Sequence, residues 1–108
     1  MPWFVYMILA TDSQLYSGIT TNMARRWHEH RSGKTGAKYF RGRAPMALCL
    51  LEAAADRSSA SKREAQLKQL TRRAKVQLLL QQFSRTQQFM ADHALEIPFI
   101  TRIQLEQL

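Results

Sequence analysis

Cysteine is almost absent from this sequence, since Cys49 is the only one among 108 residues. One thiol excludes an intrachain disulfide and a cysteine-based metal cluster, so we expect Cys49 to be buried and unreactive.

A membrane-spanning run is also missing. The apolar opening, Trp3 to Ala10, is too short to cross a bilayer and lacks a positive leading region, which predicts a strand rather than a signal peptide. We therefore expect a cytoplasmic protein without a membrane partner.

Acidic residues are scarce. Eight Asp and Glu stand against sixteen Lys and Arg, which gives a formal net charge of +8 and a pI near 10.4. This balance favours a polyanionic partner through phosphate contacts and counterion release. It is also compatible with ribosome association, a membrane surface or solubility alone. Charge therefore favours nucleic acid without identifying it.

Glycine and proline are few, with four and three residues, and no tract has low complexity. The length suits one domain with a modest hydrophobic core. We assign residues 1–82 to that domain. Residues 83–108 form a C-terminal extension that is either packed on the domain or appended to it.

The first third of the chain predicts a β-hairpin followed by a helix. Trp3 to Leu9 and Gln14 to Thr20 are β-rich apolar runs separated by turn residues. Thr20 or Thr21 can cap a helix over roughly residues 22–31, which Gly33 would end because glycine tolerates the left-handed conformation.

The rest of the chain predicts one more strand and then helices. Met46 to Ala53 is a nearly continuous apolar run, which suggests a buried third strand, although a helical segment fits the same run. Helices are expected from about residue 58 to 70, from 71 to 82, and around Arg85 to His93. The pattern as a whole predicts an α+β fold with a helical or extended C-terminal tail.

Two tyrosines occupy the two arms of the predicted hairpin. If paired residue numbers sum to 24, Ile8 faces Tyr16, and Tyr6 lies on the same face. A slip of one residue would place the tyrosines on opposite faces. Strand tyrosines are often simply half-buried β-formers, but Gly18 indicates a place where a ligand or backbone approaches closely.

A polar stripe follows the hairpin. Asn22, Arg26 and His30 are spaced i, i+4, i+8, so they share one side of the predicted helix. Arg26 offers a planar charged fork for a phosphate, and His30 can donate a hydrogen bond or move a proton. A solvated helix face is the alternative interpretation.

Glu64 falls on the apolar stripe of a later helix, together with Ala60 and Leu67. A carboxylate there is half exposed, paired with Lys68 one turn on, or an oxygen ligand for a divalent metal ion. The sequence leaves these three alternatives open.

The segment from Gly33 to Pro45 predicts a basic loop. Aromatic side chains among positive charges can contact phosphates and stack on bases, although two core-anchoring aromatics in a basic loop would look the same. The candidate substrate-binding residues of the loop are Lys34, Lys38, Tyr39, Arg41 and Arg43.

These residues carry a family resemblance. Phe4-Val5-Tyr6, Tyr16-Ser17-Gly18, the run from Asn22 to Arg26 with His30, and Glu64 occur in an order and spacing that resembles the GIY-YIG nuclease superfamily. The resemblance covers about residues 2–80. It is closest to small stand-alone bacterial members of the YhbQ type and more distant to the catalytic domain of eukaryotic structure-specific, junction-cutting nucleases.

The resemblance implies a three-stranded antiparallel sheet flanked by helices. It also implies an endonuclease that hydrolyses phosphodiester bonds in DNA with one weakly held Mg²⁺ or Mn²⁺ ion. Such an enzyme is expected to be structure-selective and to serve DNA repair or recombination. Tyr6, Tyr16, Arg26 and His30 match catalytic positions, and Glu64 matches the metal-binding carboxylate. Gly18 and Asn22 join the basic loop as candidate substrate-binding residues. Phe4 and Ser17 replace the usual glycine and isoleucine of the two signature triplets.

On this interpretation Tyr6 is the candidate general base for the attacking water. Tyr16 positions that water or acts as the base itself, and Arg26 stabilises the phosphate in the transition state. Two other classes of function compete. The chain could be a non-catalytic nucleic-acid-binding module that retains the fold, or a protein-interaction adaptor that uses the tail.

Overall fold

A computed structural model describes residues 2–33, 40 and 42–108. Its centre is an antiparallel sheet of β1 (Trp3–Ala10), β2 (Leu15–Thr20) and β3 (Pro45–Ala54), in the order β2-β1-β3. The apolar run of β1 suits the central position, where the strand is buried from Val5 to Ala10. The predicted α+β fold class, a three-stranded antiparallel sheet with flanking helices, is confirmed.

The hairpin register is the one in which paired residue numbers sum to 24. Tyr6 pairs with Gly18 and Ile8 pairs with Tyr16. Both tyrosines therefore project from the same face of the sheet, as predicted.

Two faces of the sheet carry different helices. Val5 and Met7 pack with Ala60 and Leu67 on one face, which we call the α2 face. Tyr6 and Ile8 pack with Met23, Trp27 and Met90 on the other, which we call the α1 face. Alternation of side chains along β1 produces this division.

The described residues form five helices around the sheet: α1 (Met23–Ser32), α2 (Arg57–Gln69), α3 (Arg72–Gln81), α4 (Phe83–Asp92) and α5 (Arg102–Glu106). Asn22, rather than Thr20 or Thr21, caps α1 by accepting a hydrogen bond from the backbone N–H of Arg25 at 3.0 Å. Thr20 ends β2, and its hydroxyl instead accepts from the backbone N–H of Asn22 at 3.1 Å. Gly33 ends α1 with φ of 75°, as predicted.

The C-terminal residues pack on the sheet. Helix α4 contacts β3, and Phe99 forms a parallel bridge with Leu48. Ile100 and Leu105 are buried on the α2 face. The extension thus supplies part of the core, while the boundary at residue 82 stays a prediction.

Cys49 is buried, as expected, and burial raises the pKa of its thiol to about 12.

Across the described ranges, no helix combines the length and apolar character that a bilayer crossing requires.

Candidate active site

Side chains from β1, β2 and α1 meet on the α1 face. We call Tyr6, Tyr16, Arg26 and His30 the tyrosine cluster. The ring centroids of Tyr6 and Tyr16 lie 6.2 Å apart, and the His30 ring lies 5.8 Å from Tyr6 and 5.5 Å from Tyr16. The structure therefore brings all four predicted catalytic residues together.

The innermost contact joins Tyr6 and His30. The Tyr6 hydroxyl and His30 Nε2 are 2.7 Å apart, and the two side chains are 0% and 1% exposed. Met23, Trp27 and His30 form the buried side of α1, so His30 faces the sheet rather than solvent. The alternative that the polar stripe of α1 is merely a solvated face is therefore wrong for His30.

Arg26 lies at the rim of the tyrosine cluster with 25% of its side chain exposed. Its guanidinium donates to Glu29 Oε1 at 2.9 Å, and its positive charge lies close enough to the cluster to lower the pKa of both Tyr6 and His30.

The pKa values of the cluster fit this arrangement. Burial, and then the nearby charge of Arg26, lower the pKa of His30 to about 4, so the ring is neutral at neutral pH. Burial, and then the neighbouring Tyr16, raise the pKa of Tyr6 well above its ordinary value, although Arg26 opposes this shift. Tyr6 therefore keeps its proton.

Gly18 provides space for Tyr6. A Cβ atom built on Gly18 would lie 2.6 Å from Tyr6 Cζ and closer still to the hydroxyl oxygen. The glycine thus marks a close approach, but the group that approaches is the Tyr6 ring. Its predicted contact with substrate stays a prediction.

The structure describes only some of the candidate substrate-binding residues. Asn22 is exposed, although its side-chain oxygen is occupied by the helix cap. Arg43 pairs with Asp12 at 3.2 Å near the hairpin turn. The other candidates in the loop lie outside the described residues: Lys34, Lys38, Tyr39 and Arg41.

Phe40 lies at the tyrosine cluster, although the sequence left it open between base stacking and core anchoring and did not place it among the candidate site residues. It is buried, and its ring centroid lies 4.5 Å from His30 and 5.1 Å from Tyr16. For Phe40 the core-anchoring interpretation of the loop aromatics is therefore correct. Its position next to Tyr39 in a basic loop was the only available signal.

The structure places Glu64 on α2, and the described hydrogen bonds and ion pairs do not link it to the tyrosine cluster. It lies on the inner stripe of α2, between buried Ala60 and Leu67, with 23% of its side chain exposed. Its carboxylate pairs with Lys68 at 3.5 Å. Across the described ranges no hydrogen bond or ion pair joins it to the tyrosines, Arg26 or His30.

The residues fit a weakly held Mg²⁺ ion rather than a tight metal site. The described part of the chain contains no group of three His, Cys, Asp or Glu side chains that could enclose a metal. Mg²⁺ at phosphate sites often uses only one or two carboxylates and completes its shell with water and phosphate oxygens. The partly exposed Glu64 carboxylate, with its long ion pair to Lys68, can supply one such ligand.

Comparison with known proteins identifies this arrangement. The family profile described as the GIY-YIG catalytic domain matches residues 2–77. The chain belongs to the GIY-YIG family. Helices α4 and α5 lie beyond the GIY-YIG match. Membership indicates a nuclease, generally an endonuclease, with nucleic acid as its substrate.

Bacterial relatives confirm the predicted resemblance to YhbQ-type GIY-YIG proteins. A UPF0213 protein of Desulfotalea psychrophila is 54% identical over 69 residues, which are 64% of this chain and 63% of that protein. The UPF0213 protein YhbQ of Salmonella arizonae is 44% identical over 81 residues, 75% of this chain and 80% of that protein. YhbQ of Escherichia coli O1:K1 is 46% identical over 78 residues, 72% of this chain and 77% of that protein.

The match therefore spans slightly less than two thirds of the Desulfotalea protein. Among solved structures, the solution NMR structure of a UPF0213 protein from Bacillus halodurans is 42% identical. The match covers 73% of this chain and 83% of that one, with a TM-score of 0.48.

Proposed function

We propose that this chain is a metal-dependent endonuclease that hydrolyses phosphodiester bonds in DNA, with structure-selective action in repair or recombination. The main support is the tyrosine cluster, in which Arg26 is partly exposed while its positive charge acts on the buried, hydrogen-bonded pair of Tyr6 and His30. A partly exposed guanidinium beside this buried pair is suited to a phosphate.

Tyr16 is the phenol that we assign to the attacking water. Tyr6 is fully buried and its pKa is raised, so it is unsuited to act as the general base. Tyr16 is partly exposed on the edge strand β2 and contacts both Tyr6 and His30 through ring packing. In this proposal Tyr16 orients the water, while Tyr6 and His30 hold Tyr16 and Arg26 in position.

The water oxygen bonds to phosphorus while the bond from phosphorus to the leaving oxygen breaks, and Arg26 stabilises the negative charge that develops on the phosphate oxygens. The attacking water gives its proton to solvent through Tyr16, and the leaving oxygen takes a proton from solvent. When bound at Glu64, Mg²⁺ or Mn²⁺ supplies charge neutralisation at the scissile phosphate. Because Glu64 lies on α2 and the tyrosine cluster on β1, β2 and α1, a Glu64 variant tests the metal role separately from the cluster.

Cleavage of labelled single-stranded, duplex, flap and junction DNA, with matched RNA, tests the function. The native chain is compared with Tyr16→Phe, which removes one hydroxyl and keeps the ring, in Mg²⁺, Mn²⁺ or EDTA. We expect metal-dependent cutting that falls at least about 100-fold in Tyr16→Phe. Equal cutting by both proteins would remove Tyr16 from the mechanism.

Glu64→Gln tests the metal assignment, with Glu106→Gln as the matched control on the exposed side of α5. We expect cleavage to fall in Glu64→Gln and to recover partly at high Mn²⁺ concentration, while the control stays native. Undiminished cleavage by Glu64→Gln at low Mg²⁺ would contradict the assignment.

The pairing of Glu64 with Lys68 supports a second candidate function, a nucleic-acid-binding module without catalysis. The same substrate panel distinguishes the two functions. Binding of the panel without cutting in any metal would establish the module and exclude the nuclease.

A further inference from the structure

Helix α4, in the C-terminal extension, contributes aromatic side chains to the sheet face that carries the tyrosine cluster. Phe4 of β1 meets Phe89 of α4 edge to face, with ring centroids 6.1 Å apart and planes at 74°. His93 stacks on Phe89 at 4.2 Å and 21°, and it meets Phe4 edge to face at 6.0 Å. Three rings thus form one cluster between the sheet and solvent.

These rings line a cleft between α1 and α4. Its volume is about 270 Å³, and Thr21 and Asn22 at the start of α1 complete its rim. A second cavity of about 420 Å³ shares Phe89 and includes the Arg85 side chain. Arg85, Phe89 and His93 are spaced i, i+4, i+8, so one side of α4 presents a cation, a ring and an imidazole in sequence.

The charge at the second cavity, which adjoins the cleft at Phe89, is positive on balance. Glu52 lines the second cavity, but Arg63 neutralises it through two hydrogen bonds of 2.8 and 3.0 Å. Arg85 is exposed, and the chain as a whole carries a charge of +8. Aromatic faces beside guanidinium groups are the combination that single-stranded nucleic acid recognises.

Position connects the cleft to the proposed nuclease site. Helices α1 and α4 contribute to the same face of the sheet as Tyr6. Asn22 at the cleft precedes Arg26 by four residues on α1, which is about 6 Å along the helix axis. A nucleotide held in the cleft would therefore lie about one helical turn from the residue of the proposed phosphate contact.

We propose that the cleft between α1 and α4 binds an unpaired nucleobase of the substrate, stacked parallel to the Phe89 and His93 rings with Phe4 at its edge, while Arg85 contacts a neighbouring phosphate. This inference rests on the proposed function for nucleic acid as the ligand. It makes the C-terminal extension, which lies beyond the matched family domain, a determinant of substrate choice.

Binding in EDTA tests the cleft without any cleavage step. A fluorescein-labelled 12-residue oligothymidylate is compared with an abasic oligomer of the same length by anisotropy, at one fixed salt concentration. Phe89→Leu keeps the apolar volume and removes the ring. Phe83→Leu makes the same change on the same helix, where Phe83 packs instead against Phe99 and Arg102.

We expect the native chain and Phe83→Leu to prefer the oligothymidylate over the abasic oligomer by about tenfold, since stacking on an aromatic ring contributes on that scale. Phe89→Leu should lose most of this preference while it keeps its affinity for the abasic oligomer. An equal loss for both oligomers would indicate a merely structural role, and an unchanged preference would exclude the cleft; either result overturns the proposal.

Backbone amide NMR provides an independent readout that does not require a variant. Thymidine monophosphate should shift the signals of Thr21, Ala24 and His93 more than ribose 5-phosphate does. Equal shifts from both compounds would show that only phosphate is bound. If the protein binds the base but cuts no DNA, the nuclease proposal is rejected and the proposal of base binding in the cleft is kept. If the protein cuts DNA but does not discriminate between the two ligands, only the proposal of base binding is rejected.

Discussion

A single buried imidazole links the stability of this fold to pH. His30 is 1% exposed, and its pKa in the folded chain is about 4 against an ordinary value of 6.5. Between these values the unfolded chain binds a proton that the folded chain does not. The free energy of unfolding therefore decreases as the pH falls from 6.5 towards 4.

The contribution of His30 over this pH range is roughly 3 kcal/mol. Urea unfolding at pH 7 and pH 4.5 measures it in the native chain, in His30→Gln, and in His28→Gln as an exposed control. We expect the native chain and the control to lose about 2 to 3 kcal/mol more than His30→Gln. Equal losses in all three would show that His30 titrates as an exposed histidine does.

Gly18 should resist substitution for a steric reason. Gly18→Ala places a Cβ atom 2.6 Å from Tyr6 Cζ, so the Tyr6 ring must shift at a cost of about 1 to 3 kcal/mol. Denaturant unfolding of Gly18→Ala in the native and Tyr6→Leu backgrounds measures this coupling. The cost should fall sharply when the ring is absent, and an equal cost in both backgrounds would mean that the close approach is not responsible.

At the scale of the elements, the start of α1 has two separable roles. Asn22 caps the helix through its side-chain oxygen, and it also borders the cleft between α1 and α4. Asn22→Ala should lower the free energy of unfolding by about 1 kcal/mol, whereas Asn22→Asp preserves the cap. If Asn22 contacts nucleic acid, Asn22→Asp should still weaken DNA binding by charge repulsion. Native-like binding by Asn22→Asp would remove Asn22 from the substrate-binding residues.

The elements also show which parts of the structure local patterns can predict. The end of α1 followed from Gly33, and the break between two helices near Gln82 was also predicted, because both depend on neighbours in sequence. The hairpin register was one of two alternatives that the sequence left open. The bridge from Phe99 to Leu48 depends on packing between distant segments, and no local signal specifies it.

The same limit applies within the candidate site. The spacing of Asn22, Arg26 and His30 places them on one side of a helix, but it does not say which side faces the sheet. Only the packing of Met23 and Trp27 against β1 turns His30 inward to the Tyr6 hydroxyl. The burial of Tyr6 was likewise not visible in the sequence, and for that reason we propose it as a positioning residue rather than as the general base.

At the scale of the whole molecule, the net charge predicts salt-dependent binding. A chain with a charge of +8 that neutralises several phosphates releases as many counterions. The affinity for DNA should then fall at least about tenfold between 50 and 200 mM salt. Anisotropy titrations across this range measure the slope, and an affinity that does not respond to salt would contradict phosphate-directed binding.

The central claim is that this molecule cuts DNA and that Arg26 stabilises the reacting phosphate. Single-turnover cleavage in Mn²⁺ by Arg26→Ala tests it most directly, with Arg25→Ala as the neighbouring exposed arginine. DNA affinity is measured in parallel, and circular dichroism verifies that both variants are folded. We expect Arg26→Ala to cut at least about 100-fold more slowly with little change in affinity, while Arg25→Ala cuts at nearly the native rate. Equal rates for the two variants, or no cutting by the native chain, would contradict the account.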